Sequence, residues 1–250
     1  MFGLEPFQLV LISGSVFVGG IVKGVTGIGL PIVSIAILVN FLPPATTLAI
    51  VVIPILVTNL WQAVRAGSMA SLIRQFWPMI VFFVSFLFIS ARLVVELDSG
   101  ALFGILGASI LLFSVSNWFR PRAKPLSQRT TRWAGPLAGA LGGVLGGIST
   151  IWGPPMMMYF MMLKLDRETW IRAVGLVWFI GSVPLTIAYW SNGVLNGDTT
   201  PLSLAACIPS LAGIFVGEFI RRRIDPETFR KVLLVTLFLV GLNLIRRSLF

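Results

Sequence analysis

Two glycine-rich stretches, at residues 19–31 and 142–155, interrupt long apolar runs. A constant shift of 123 residues superposes them and places Thr26 on Ser149. Each stretch combines glycines, hydroxyl side chains and a closing proline. If a helix begins after each interruption, its first backbone amides have no partner within the helix, and such helix ends attract anions. The two copies therefore predict a cradle for an oxyanion.

Each residue type suits this chemistry for its own reason. Glycine allows close backbone approach and left-handed turns, hydroxyls cap helices or donate hydrogen bonds, and proline fits a first helical turn. The predicted substrate-binding residues, taken from both breaks and the third apolar segment, are Lys23, Gly24, Thr26, Gly27, Gly29, Asn59, Gly147, Ser149, Thr150, Trp152 and Gly153.

Other interpretations of these residues stay open at the level of sequence. Glycines in apolar helices also allow two helices to pack closely. Lys23 has a glycine at the equivalent position of the second copy, so it either supplies the positive charge of the cradle or extends to the membrane surface. Asn59 either lines a path or joins two helices.

Few residues could move a proton or bind a metal. Glu218 is the one acid inside a long apolar segment, and it is either a proton-coupling carboxylate or the helical partner of Arg222 four residues later. The chain has no histidine and a single cysteine, Cys207. We therefore predict no catalytic residue, no metal site and no cofactor, and hence no enzyme.

The composition is typical of a membrane protein. Of the 250 residues, 56% are hydrophobic and 11% are charged, and the mean hydropathy is +0.94. Because apolar runs recur from end to end, residues 1–250 are predicted to form a single membrane domain embedded in the lipid bilayer. The net charge of +10 lies in short loops, so we explain it by topology and expect no nucleic-acid partner.

Five apolar segments in each half form two repeats, 1–118 and 134–250. The predicted segments are 7–22, 28–42, 46–64, 76–95 and 101–118, followed by 135–148, 151–163, 169–190, 201–220 and 229–245. The first two of each half are short for a span of about 20 residues. Each such pair is thus either a re-entrant hairpin or two broken spans, followed by three long transmembrane helices.

The linker 119–133 is basic and is predicted to be cytoplasmic. Both interpretations of the short pairs give an odd number of crossings per half, which makes the repeats inverted. Equivalent loops of the two halves then carry opposite charge bias: the acidic loop with Glu96 and Asp98 falls outside, and its basic equivalent with Arg221 falls inside. A parallel arrangement of four plus four spans is the alternative. The predicted fold is therefore an all-α polytopic membrane protein with two inverted repeats.

With its duplicated glycine-rich break followed by proline, its basic linker and its length, the chain resembles the TauE/SafE (sulfite exporter) family. The first copy, 24–31, lacks the family's triple glycine, and the second, 147–155, carries Trp152 where a small residue is usual. The resemblance implies transport of small sulfur-containing or organic anions such as sulfite, thiosulfate or sulfoacetate.

The predicted function is a secondary transporter that holds a small anion between the two breaks and works by alternating access. Export is favoured, because a monovalent anion that leaves a negative interior gains about 2.3 kcal/mol per 100 mV. A passive anion channel and a non-transporting accessory membrane subunit are the alternatives. The predicted location is the prokaryotic inner membrane, and a homo-oligomer is left open.

Overall fold

The computed structural model describes residues 6–65, 70–119, 128–221 and 223–249, and within these ranges every regular element is an α-helix. The first half contains α1 (Pro6–Thr26), α2 (Leu30–Leu38), α3 (Pro44–Arg65), α4 (Ala70–Ala91), the single-turn α5 (Leu93–Glu96) and α6 (Ser99–Phe119). The second contains α7 (Gln128–Ser149), α8 (Gly153–Met162), α9 (Arg167–Ser191), α10 (Thr199–Ile220) and α11 (Pro226–Leu249). The all-helical prediction is confirmed. Most of the basic linker lies outside the described residues.

Seven helical spans in the described part of the chain are long and apolar enough to cross a bilayer. They are α1, α3, α4 with α5, α6, α9, α10 and α11. Helices α2, with nine residues, α8, with ten, and the single-turn α5 are short. The first helix of each half is longer than predicted, since α1 has 21 residues and α7 has 22. Helix α1 continues through Gly24 to Thr26, past its predicted end at residue 22, whereas α7 ends close to its predicted end and begins earlier, at Gln128.

The two halves exchange helices. Helix α1 packs on α10 of the second half, and its equivalent α7 packs on α4 of the first. In the same way α3 contacts α10, and α9 contacts α4. Two further contacts join helices that occupy equivalent places in the two halves: α6 contacts α11, and α3 contacts α9. The most extensive helix contacts, those of α4 with α7, α1 with α10 and α6 with α11, therefore join the two halves.

Helix directions follow from the glycine contacts. Gly20 of α1 faces Gly213 of α10, and Gly24 faces Gly217 one turn later, so α1 and α10 run parallel. The same holds for α7 and α4, whereas α6 and α11 run antiparallel. Successive helices that cross a bilayer alternate in direction, so α4 and α6 run in opposite directions, and so do α10 and α11. Because α6 and α11 are antiparallel, α4 and α10 are then opposite in direction, and so are α7 and α1, which run parallel to them. An inverted repeat requires that arrangement, and the inverted topology itself stays a prediction.

Close packing between α1 and α10 requires glycine. A Cβ atom built on Gly20 would lie 3.1 Å from the Gly213 Cα and still closer to the Ser210 carbonyl oxygen. By contrast, a Cβ on Gly14 of the same helix would meet nothing within 4 Å. The glycine stripe thus brings the two backbones together.

We expect Gly20→Ala to destabilise the protein by about 1–3 kcal/mol, because the new methyl group forces α1 away from α10. The matched control Gly14→Ala should leave stability unchanged or raise it by up to about 1 kcal/mol through helix propensity. Thermal unfolding of both variants in detergent measures the difference. Equal melting temperatures would contradict the close contact.

Candidate functional site

The first break is a short left-handed turn between α1 and α2. Gly27 has φ of +82° and Gly29 has φ of +108°, values that side-chain-bearing residues rarely adopt. The Thr26 hydroxyl donates to the Val22 carbonyl at 2.8 Å and accepts from the Ile28 amide at 3.3 Å. This hydroxyl therefore stabilises the turn.

The second break repeats this geometry. The Ser149 hydroxyl donates to the Leu145 carbonyl at 2.7 Å and accepts from the Ile151 amide at 3.2 Å. Thr150, the equivalent of Gly27, has φ of +60°, which is unusual for a residue with a side chain. The duplication seen in sequence is thus a duplicated backbone turn.

Short helices follow both turns, as the cradle requires. Helix α2 begins at Leu30 with Pro31 in its first turn, and α8 begins at Gly153 with Pro154 and Pro155. Because proline has no amide hydrogen, α8 presents fewer free donors than α2. The first break is therefore the better equipped of the two for an anion.

Lys23 is the one side chain near the first break that is both cationic and buried, with 6% of its surface exposed. Its Nζ donates to Thr58 Oγ1 at 3.0 Å and to Asn59 Oδ1. The Asn59 amide in turn donates to the Trp178 carbonyl at 3.1 Å. Neither acceptor of Lys23 is charged, and Lys23 forms no ion pair with any of the described residues. A buried ammonium group thus lacks a countercharge within the described part of the chain, which favours binding of an anion.

A cavity of about 290 Å³ lies beside this ammonium group. Its polar lining consists of Lys23, Thr26, Thr58, Gln62, Glu218 and Arg221. Its apolar lining includes Trp61 and Trp170. Lys23 is buried and Arg221 is exposed, so these two residues mark the base and the mouth. We call this space the Lys23 cavity.

Glu218 lines the Lys23 cavity, and its backbone nitrogen lies against Gly24, the residue that follows Lys23 in the chain. Its predicted partner Arg222 lies outside the described residues. The position places a carboxylate beside the route to Lys23, and its role in proton coupling stays a prediction.

The second break holds an aromatic ring in place of a cavity. Trp152 is 2% exposed, and its ring packs on Phe83 and Trp178 with centroid distances of 5.7 and 6.3 Å. A Cβ built on Gly146 would lie 2.9 Å from this ring. In the first copy the equivalents of Gly146 and Trp152 are Lys23 and Gly29. The first copy thus has no ring at the position of Trp152, whereas in the second copy Gly146 leaves room for that ring.

The predicted site residues form two groups. Lys23, Gly24, Thr26, Gly27 and Asn59 meet at the Lys23 cavity, whereas Ser149, Thr150, Trp152 and Gly153 surround the second break. Trp178 joins the groups, because its carbonyl binds Asn59 and its ring contacts Trp152.

Several glycines have packing roles as well. Gly24 faces Gly217 of α10, and Gly147 faces Leu87 of α4. Gly29 lines a neighbouring cavity beyond the first turn. The packing interpretation of Gly24 and Gly147 therefore has direct support, and substitution there would test folding before binding.

Sequence reasoning missed Thr58, Trp61, Trp170 and Arg221. Thr58 precedes Asn59 and could have been found as its polar neighbour, since both lie in the same apolar segment. The tryptophans and Arg221 gave no separate signal, because aromatic residues at span ends and arginines in loops are common in any membrane protein.

Trp152 offers a test of the second break. Its Nε1 is buried without a hydrogen-bond partner among the described residues, as is Thr150 Oγ1. Trp152→Ala should cost about 3–5 kcal/mol, because it empties the space over Gly146. Trp152→Phe should cost far less, since removal of an unpaired donor returns about 1–3 kcal/mol. Thermal unfolding distinguishes these variants, and an equal loss in both would contradict the packing role.

Comparison with known proteins gives one result. The model of the sulfite exporter TauE/SafE family matches residues 12–244. No curated protein and no solved structure matches the chain. The match covers nearly the whole chain, including both breaks and all or most of each of the seven candidate spans, so the protein is a multi-pass membrane protein that belongs to the sulfite exporter TauE/SafE family.

Proposed function

We propose that this protein is a secondary transporter that exports small sulfur-containing or organic anions. The observation that carries the proposal is the buried Lys23 ammonium group, which faces a cavity and has only neutral acceptors in Thr58 and Asn59. Family membership supports membrane transport in general. The candidate substrates, sulfite, thiosulfate and sulfoacetate, are those that the family resemblance implies.

The cavity favours a substrate with two kinds of surface. Lys23 and the nearby hydroxyls suit an oxyanion group, which accepts charge-assisted hydrogen bonds. Trp61 and Trp170 suit a hydrocarbon part. Sulfonates combine both features, so we propose sulfoacetate as the first substrate to test and sulfite as the second.

Export follows from energetics. A monovalent anion that leaves a negative cell interior gains about 2.3 kcal/mol for each 100 mV of potential. Import against that potential would need a coupling ion, and Glu218 is the proposed carboxylate for one. The proposed location is the inner membrane of a prokaryotic cell.

The alternatives differ in what they require. An accessory subunit has no need of a polar cavity with a buried cation. A passive channel shares the cavity, and its distinguishing property is a high turnover without counterflow. An enzyme is not supported, because the family is one of transporters.

Lys23→Met should lower kcat/KM for anion flux by roughly ten- to a hundredfold, because charge-assisted hydrogen bonds contribute about 1.5–3 kcal/mol. The measurement is uptake of sulfoacetate, sulfite, thiosulfate and sulfate into proteoliposomes at an imposed potential, with and without a proton gradient. Lys231→Met, which removes an equal charge from the exposed surface of α11, is the control. Equal flux through both variants would contradict a ligand role for Lys23, and no flux of any anion through folded wild type would overturn the proposed function.

Alternating access predicts that two positions change accessibility in opposite directions. In a Cys207→Ser background, Ile171→Cys lies in the Lys23 cavity and Ser182→Cys lies at the buried counterpart of Asn59. Saturating sulfoacetate should slow labelling of the first by a water-soluble maleimide and speed labelling of the second. Asn196→Cys, in the exposed connection before α10, should label at a constant rate. If the first two rates also stay constant, the mechanism is wrong.

A further inference from the structure

Two cavities lie against the turn of the first break. One is the Lys23 cavity, and the other, of about 280 Å³, lies between the turn and helices α6 and α11. Both are lined by Thr26, Ile28 and Arg221. Arg221 therefore lies where the two spaces meet, at the carboxyl end of α10.

The other described cations near this point are already engaged. Arg223 lies 4.5 Å from the ring centroid of Phe219. Arg230 bonds the Asn117 carbonyl at 2.6 Å and pairs with Glu227. The Arg221 side chain, in contrast, forms no hydrogen bond or ion pair with any of the residues that the structure describes. No described residue thus accepts from its five N–H donors, and the side chain lines both cavities.

The geometry points to Arg221 as the loading residue of the transporter: we propose that it captures the anion at the mouth of the Lys23 cavity and passes it to Lys23. This inference rests on the proposed function and adds a second cationic contact to it. An exposed guanidinium group binds oxyanions through paired N–H donors and remains hydrated, so the contact is fast and weak. The buried ammonium group further in is less hydrated and holds the anion more firmly.

Glu218 is a further charged residue in the lining of the Lys23 cavity. It lines the same cavity three residues earlier on α10. With Arg221 present, the mouth carries both signs of charge and admits an anion. Replacing Arg221 removes an exposed positive charge from this mouth, so the electrostatic attraction that draws an anion toward Lys23 becomes weaker.

Arg221→Gln and Arg223→Gln form a matched pair, because each removes one positive charge from the same end of α10. Initial flux of sulfoacetate into proteoliposomes, and its binding to detergent-solubilised protein by calorimetry, are measured at low and at high ionic strength. Arg221→Gln should raise KM roughly three- to tenfold at low ionic strength with kcat nearly unchanged, and the difference should shrink as salt screens the charges. Arg223→Gln should keep the wild-type KM, and Arg221→Lys should recover part of the affinity.

Two results would overturn the inference. One is the same KM for both glutamine variants, which would make the arginines topological signals only. The other is a loss of kcat in Arg221→Gln with no change in KM or salt dependence, which would indicate a structural role. Wild-type protein that moves and binds no anion is a separate outcome, because it overturns the proposed function itself.

Discussion

A buried ammonium group without a countercharge among the described residues is the constraint around which the rest of this structure is arranged. Lys23 reaches its neutral acceptors, Thr58 and Asn59, only because α1 and α3 both lie against α10. The cost of burying the charge is offset by two hydrogen bonds and by access to a water-accessible cavity. The glycine contacts of α1 with α10 set the position of the helix that carries Lys23, so packing and binding depend on the same interface.

The two breaks share part of their backbone geometry and differ in side chains. Both turns use a hydroxyl that bonds the carbonyl four residues earlier, and both place the next residue at positive φ. Where the second copy carries Trp152 over Gly146, the first copy carries Gly29, and its Lys23 lines a cavity. The two copies of the turn have thus diverged into one that borders a polar cavity and one that is filled by an aromatic ring.

Sequence predicted the parts of the fold that depend on local pattern. Hydropathy identified the long helices, and the glycines at 27 and 29 marked a turn that the structure places at positive φ. It underestimated α1, because Gly24 looks like a helix breaker until α10 is seen against it. Contacts such as that of Lys23 with Asn59 depend on how helices rotate and dock, and neither hydropathy nor spacing records that. The Trp152 ring over Gly146 is hidden for the same reason.

The exchange of helices between halves has a consequence for biosynthesis. Helix α1 is synthesised long before α10, the helix against which its glycine face packs. Until α10 is inserted, the stripe of Gly20 and Gly24 has no partner and the backbone there is covered by lipid. The equivalent contact of α7 with α4 can form earlier, because α4 precedes α7 in the chain. Assembly is therefore asymmetric in time, since the contact of α1 with α10 beside Lys23 forms after its equivalent.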